Sequence, residues 1–434
     1  MSKFLFLSIV TIAITCNSLF SQEYHTITGT IKDIATKQSL AGVNIYLSKK
    51  AIGTVSNAEG QYKFSFPENL TKDTLFFSCI GYKTHKIPVS KILKSTILNI
   101  ELEISACLLS EITVSSKVLT AKDILKLARK KYFKNHLPVE NYNANMYFRE
   151  YVREDSNYTR AREIAIKTYS KANKETIDLK VEQCRYAVSS KSKTSVKGDL
   201  GLGLIYEYSW FLEEYFRYKQ KNDWNIRKDT ILFYHNKFVY VISATKGTIS
   251  EQLKNIYLRN IGNDYTFYNN IDDRFKNTTD RYGFYVYFIS IDNFKIEKMF
   301  NYYHFGRIAK NKSKSTNEVT DLLRHTSSIE FIEKNNKMYP YHVFWFGESY
   351  IYKSVLLNKR VLKHQYTELV NNEIITNNVE IIPSESFGNA LNELYINDNC
   401  KESDPEFWKT YNYLPDDKLK QQVLENIENQ KKEK

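Results

Sequence analysis

Long apolar runs are nearly missing from this sequence. Only residues 4–20 approach the roughly 18 consecutive apolar residues that a membrane-crossing helix needs, which excludes a polytopic helical membrane protein. Cysteine is scarce and never forms a CxxC pair, so zinc ribbons and thioredoxin-like redox chemistry have no ligands. The histidines, at 25, 85, 136, 235, 304, 325, 342 and 364, make no HExxH, HxH or His-x-x-Glu, and a zinc peptidase needs such ligands on one rigid element. No GxSxG turn is present to expose a hydrolase serine. What the chain does have is 42% hydrophobic residues and 14% aromatics, enough to rule out a disordered tail and to build two or three folded domains from 434 residues.

The first segment carries one positive charge at Lys3, an apolar core from Phe4 to Ile14, and small or polar residues through Ser21 and Gln22. It reads as a secretory signal, cleaved near Ser21 or Gln22, because nothing polar marks a second face as in a buried helix. Ile12-Ala13-Ile14-Thr15 before Cys16 do not fit a lipid-anchor signal. Removal of Lys3 takes the net charge from +13 to about +12. Export would leave Cys79, Cys107, Cys184 and Cys400 where disulfides are permitted. Cys79 and Cys107 share the first domain and are a conceivable pair, but single buried thiols are the expectation.

From Tyr24 to about Ser116, short strands alternate with turn signals, the pattern of a small β-sandwich. Tyr62, Phe64 and Phe66 alternate with Lys63 and Ser65, predicting one buried and one wet face. Leu98, Ile100, Leu102 and Ile104 alternate with Asn99, Glu101 and Glu103 in the same way. Leu75 to Ile80 reads as a central strand, and Asn57-Ala58-Glu59-Gly60 as a tight turn.

The run GTIKDIATKQSLAGVNIYLSKKAIGTVSNAEGQYKFSFP, followed by LFFSCIGYKTHKIPV and LSEITVSS, resembles the carboxypeptidase-regulatory-like domain of many Bacteroidota envelope proteins. The matching positions are Gly29, Leu40, Gly42, Val43, Gly53, Thr54, Gly60, Tyr62, Phe64, Gly81 and Tyr82. The resemblance implies a seven-stranded transthyretin-like sandwich acting as an accessory or interaction module without a catalytic centre. In many relatives the module precedes the plug and barrel of a TonB-dependent receptor. Here 434 − 116 = 318 residues follow Ser116, too few for a plug and a 22-stranded barrel with strands of about 9–11 residues.

Thr120-Ala121-Lys122-Asp123 resembles a capping box, and Ile124, Leu127, Ala128 and Tyr132 follow at helical spacing, predicting a helix that stops before Pro138. From Asn141 to about Val379 the chain is rich in Tyr, Phe, Val and Ile and poor in proline. Expected strands are Thr230 to Ala244, Gly283 to Ile291, Ser328 to Glu333, Tyr341 to Phe346 and Val361 to Leu369, with a hairpin at Glu333-Lys334-Asn335-Asn336-Lys337. ILKLARKKYFKNHLPVENYNANMYFRE and DPEFWKTYNYLPDD resemble a group of Bacteroidota envelope proteins with the same N-terminal module. A curved antiparallel sheet with a helix across its hollow side, similar to periplasmic lipoprotein carriers, is one shape this order allows. Asp404-Pro405 and Asp416-Asp417 suit helix starts, and Leu419, Val423, Leu424 and Ile427 form one apolar stripe.

Gly198, Gly201 and Gly203 follow a polar loop rather than a strand, so a flexible loop is favoured over a phosphate cradle. The carboxylate pairs Glu213-Glu214, Asp272-Asp273 and Asp416-Asp417 read as solvated charge or helix caps, since strand neighbours point to opposite faces. Basic stretches at Arg129-Lys130-Lys131, Lys191 to Lys197 and Lys310 to Lys314 suggest anionic headgroups or solubility before nucleic acid in an exported chain. Trp210, Trp224, Trp345 and Trp408 are core residues before they are sugar-stacking platforms.

The expectation is a mainly β protein with a signal peptide (1–22), a sandwich (23–116), a linking helix (117–138), a larger antiparallel β-rich domain (139–400), and C-terminal helices with a charged tail (401–434). No residue is assigned to catalysis, a cofactor or a metal, and no transmembrane span is expected after cleavage. The expected function is a non-enzymatic accessory or interaction protein of the periplasm or outer membrane, binding an envelope protein or a lipid or glycan ligand. A lipid or lipoprotein carrier and an envelope glycan or peptide hydrolase are the alternatives.

Overall fold

The computed structural model describes residues 23–105, 119–171, 177–189, 224–259, 281–312, 318–353, 360–382 and 403–432, with positions 261, 264, 267 and 271. The signal segment, Cys107, Cys400, Gly198 to Gly203, Trp210 and the Glu213 and Asp272 pairs lie outside the described residues.

The first strands are β1 (Tyr24–Asp33), β2 (Asn44–Leu47), β3 (Ile52–Val55), β4 (Gln61–Pro67), β5 (Thr74–Ser78), β6 (His85–Pro88) and β7 (Ile100–Leu102). They form two layers, β4-β1-β7 and β3-β2-β5-β6, which is the expected seven-stranded sandwich. Ile27, Ile31, Val43, Ile45, Tyr62, Phe64 and Phe77 fill the space between the layers. The Asn57–Gly60 turn forms as read: Asn57 Oδ1 accepts from the N–H groups of Glu59 and Gln61, and Gly60 takes φ +73°.

Two expectations for this domain are corrected. The buried alternation ends early: the regular ladder with β1 spans Ile100 to Leu102, Ile97 and Ile104 make single bridges to Thr28 and Tyr82, and Ile104 is exposed. The face of β4 expected to be wet is covered by the C-terminal segment. Lys63 Nζ donates to the carbonyls of Trp408 and Tyr411, and Ser65 exchanges backbone hydrogen bonds with the Asn412 amide.

Thr120 caps α1 (Ala121–Lys131) through the full reciprocal box with Asp123, and a wider turn over Tyr132–His136 ends the helix before Pro138. The second region contains β8 (Tyr142–Glu154), β9 (Asn157–Ser170), β10 (Ile177–Val188), β11 (Asn225–Tyr234), β12 (Lys237–Thr245), α2 (Gly247–Arg259), β13 (Tyr282–Ser290), β14 (Ile296–Lys312), β15 (Glu318–Lys334), β16 (Lys337–Lys353) and β17 (Val361–Ile375). These strands make one curled antiparallel sheet in the order β10-β9-β8-β17-β16-β15-β14-β13-β12-β11. One residue pair, Glu373 with Ile52, continues the ladder from β17 into β3 of the sandwich.

The Asn335-Asn336 hairpin forms with both residues at positive φ, 51° and 62°, the backbone a two-residue turn requires. His235 and Asn236 do the same at 48° and 65°, so Thr230 to Ala244 is a hairpin rather than the single expected strand. Helix α2 also departs from the expected β texture. Its Leu253 and Tyr257 pack on Phe284, Phe300 and Val241 of the sheet. Asp404 caps α3 (Pro405–Thr410), and the Asp417 side chain accepts from the Lys420 N–H to start α4 (Lys418–Lys432).

The two faces of the sheet differ in chemistry. On one, Ile242, Tyr287, Met299, Ile329, Val343, Leu369, Phe148 and Ile164 stand in a single cross-strand row. Helix α1 joins this apolar core through Ile124 and Ala128, and the turn after it through Tyr132, whose ring meets Phe331 at 6.1 Å. The other face carries charges, and it is closed by the sandwich, α2 and α4.

Trp224, Trp345 and Trp408 are all buried, which removes them as exposed stacking platforms. Cys79 is a free, buried thiol, as expected. Cys184 is disulfide-bonded, and Cys79, the other described cysteine, is not its partner.

Candidate functional site

Residues paired across antiparallel strands point to the same face, so the register sets the charged face out as rungs. The outermost rung is Tyr158, Arg153, His364, Glu348 and Arg324, on β9, β8, β17, β16 and β15. The next holds Tyr151, Tyr366 and Phe346, and the third Glu163, Arg149, Glu368 and Phe344. The fourth is Tyr147, Val370, His342, Glu330 and Lys298.

Inside the sheet these charges answer one another. Arg149, fully buried, donates from Nη2 to Glu368 Oε2 at 2.7 Å and faces Asp417 Oδ2 from Nη1 at 2.9 Å. Glu368 also accepts from Tyr366 Oη at 2.7 Å and lies 2.8 Å from His342 Nε2. Lys298 sits between Glu330 at 2.8 Å and Asp264 at 2.7 Å. Burial pushes the Glu330 carboxyl up, but Lys298 and His342 more than reverse this and hold it at about 2. The sandwich reaches the same group through Asn44, whose Nδ2 donates to Glu330 Oε2 at 2.7 Å, as does Tyr234 Oη from β11. Glu163 is shared by Arg185, Lys420 of α4, and Tyr147.

Between the sandwich turn, the sheet and α4 lies a cleft of about 510 Å³. Ala58 and Glu59 come from the sandwich, Asp417, Lys418, Leu419 and Gln422 from the start of α4. The sheet supplies Arg153, Tyr158, Arg324, His364 and the rings of Tyr151, Tyr366, Phe344 and Phe346. Tyr151 and Tyr366 are stacked, with centroids 5.7 Å apart and planes at 19°, and the Arg149 guanidinium lies 5.5 and 5.7 Å from the two rings. Arg324 is held by Glu348, to whose Oε2 both Nε and Nη2 donate. Burial, with the Asp417 charge beside it, raises the Glu59 carboxyl above its usual range.

Of the motif positions, Gly29 lies on β1, Gly53 and Thr54 on β3, and Tyr62 and Phe64 on β4. Gly42 and Val43 precede β2, Gly60 closes the turn, and Gly81 and Tyr82 follow β5. They build the sandwich and are not brought together at the cleft. Gly53 has a specific reason to lack a side chain: a Cβ there would stand 2.4 Å from Tyr341 Oη and 2.7 Å from the Ile45 carbonyl. The histidines do not gather, and among the described residues no group of His, Cys, Asp or Glu has metal-holding geometry. Of the carboxylate pairs, Asp416-Asp417 serves as a helix cap, and Asp417 adds the buried pair with Arg149, which the sequence did not signal. Among the described residues no helix is long and apolar enough to cross a membrane.

Residues 27–114 match the family model of the CarboxypepD_reg-like domain, so the chain carries that module ahead of the larger β-rich region. No curated protein matches the chain. Among solved structures, a LolA superfamily protein from Nitrosomonas europaea overlaps 62% of this chain and 98% of its own at 12% identity, with a TM-score of 0.18. Lipovitellin overlaps 57% of this chain and 26% of its own at 9% identity, with a TM-score of 0.23. At these scores the overlaps assign neither a fold nor a ligand.

Proposed function

We propose that this is an exported, non-enzymatic accessory protein of the cell envelope that binds its partner or ligand in the cleft between the sandwich and the large sheet. The observation that carries the reading is the composite origin of the cleft, which takes walls from the CarboxypepD_reg-like module, from the sheet and from α4. Such a site exists only when the module is docked, which gives the module a role in recognition rather than that of a spacer. Export is supported by the N-terminal apolar run and by a disulfide at Cys184, a bond that persists in oxidising compartments. A binding role rather than hydrolysis is supported by the lining. It includes no Ser, Thr or Cys nucleophile among the described residues, and Asp417 and Arg324 are spent in ion pairs. The filled apolar face under α1 favours this reading over a lipid carrier.

The test is expression with the leader, fractionation of the envelope, and native mass spectrometry before and after denaturation. The expected result is a periplasmic or outer-membrane protein shortened near residue 22 and free of lipid-sized added mass. A chain retained uncleaved in the cytosol, or a reproducible lipid adduct, would overturn the reading.

A further inference from the structure

Within the cleft, two hydrogen-bond donors on one strand have nothing to donate to among the described residues. Tyr151 is 2% exposed, lines the cleft, and its hydroxyl has no partner. Arg153, two residues along β8 and therefore on the same face, also lines the cleft, and its buried Nε has no partner. Orphaned buried donors cost about 1–3 kcal/mol each, so a pair of them side by side marks a position where an acceptor belongs.

The charges around them have a sign. Asp417 answers Arg149 and Glu348 answers Arg324, while Arg153 and Lys418 enter no ion pair among the described residues. Glu59, the other carboxylate of the lining, accepts from the Lys418 backbone N–H, feels the Lys418 charge, and keeps a buried Oε2 with no hydrogen-bond partner among the described residues. His364 stands directly across the ladder from Arg153. With Glu59 set against Lys418, the balance leaves the Arg153 charge over, on the same strand as the Tyr151 hydroxyl.

We propose that the cleft binds the anionic group, carboxylate or phosphate, of a sugar-sized ligand, with Arg153 as its charge partner and the Tyr151 hydroxyl as a neutral donor. This inference rests on the cleft being the binding site. The stacked Tyr151 and Tyr366 rings and the adjacent Phe344 and Phe346 give the uncharged part of the ligand a flat apolar floor.

The test is titration calorimetry of the full chain with glucuronate, inorganic phosphate and glucose, repeated on Tyr151→Phe and Arg153→Gln. Because the Tyr151 hydroxyl is a buried donor with no hydrogen bond among the described residues, Tyr151→Phe should melt at or above the wild type. The expected result is binding of glucuronate or phosphate but not glucose, weakened about tenfold in each variant, as the loss of one charge-assisted contact implies. Phosphate binding without glucuronate binding would name a phosphate source, and the reverse an acidic sugar. Glucose binding as tightly as glucuronate, or anion binding unchanged in both variants, would overturn the inference and leave the cleft as a binding site. Silence from all three probes would also overturn it, while the fractionation and mass measurement would still judge the broader function separately.

Discussion

Arg149 and Asp417 meet at 2.9 Å with both side chains withdrawn from water, one on the first strand of the large sheet and the other at the cap of the last helix. With Glu368 on its other side, the guanidinium ties α4 to the centre of the charged face. Breaking such a pair leaves uncompensated buried charge. Arg149→Leu should therefore lower unfolding free energy by about 3–5 kcal/mol in a urea titration, because Glu368 and Asp417 are stranded together. Asp417→Asn keeps a good cap and should cost less than Arg149→Leu.

Glu330 predicts an acid limit. Its carboxyl is held at about 2 in the folded protein against an ordinary value of 4.5. A folded-state value depressed in this way contributes stability that is fully present above pH 4.5 and is lost as pH falls toward 2. Thermal melts of the wild type should show Tm dropping through that window. Glu330→Gln should be less stable at neutral pH, since Lys298 loses a partner, and flatter in acid.

Tyr341 stitches the sheet to the sandwich, its hydroxyl donating to the Thr54 carbonyl at 2.5 Å and lying 3.1 Å from that of Ile45. Tyr341→Phe should cost about 1 kcal/mol by removing this buried hydrogen bond between sheet and sandwich. Gly53→Ala drives a methyl group into the same hydroxyl and into the Ile45 carbonyl, so it should destabilise further. Limited proteolysis at the sandwich boundary would report both losses.

Cys79 should resist alkylation. Burial, with Glu330 as a second contributor, pushes its thiol up to about 12, so thiolate is scarce at neutral pH. Iodoacetamide applied to the native protein should leave Cys79 unmodified by mass spectrometry, and modify it once denaturant is added.

Ile427, fully covered beside Val423, Tyr366 and Phe344, anchors α4 through its apolar stripe. Ile427→Ala should lower stability by about 2–4 kcal/mol in a denaturant melt. It should also open the cleft, since α4 supplies one wall.

Local signals carried the elements that depend on few residues. The Thr120 and Asp123 box, the Asn335-Asn336 turn, the ring alternation in β4 and the stripe of α4 all formed as read. Helix α2 was hidden, because Ile249, Leu253, Ile256 and Tyr257 have helical spacing but sit between strongly β-forming runs. The charged face was not legible at all. Lys298, Glu330, Arg149 and Glu368 alternate with apolar residues and so look like an ordinary solvent face. Their burial is decided by the sandwich and by α4, which lie far away in the sequence. For the same reason Lys63 and Ser65 looked wet until the segment around Asn412 covered them.

The pairing of Arg149 with Asp417 also fixes an order of events. A chain made from its N-terminus presents β8 before β17 brings Glu368 and long before the cap of α4 brings Asp417, and until then the guanidinium faces water. The charged side of the sheet therefore cannot shut before α4 has been made. Closure falls to residues that are made after all the strands, so the last segment of the chain decides when the charged face leaves water.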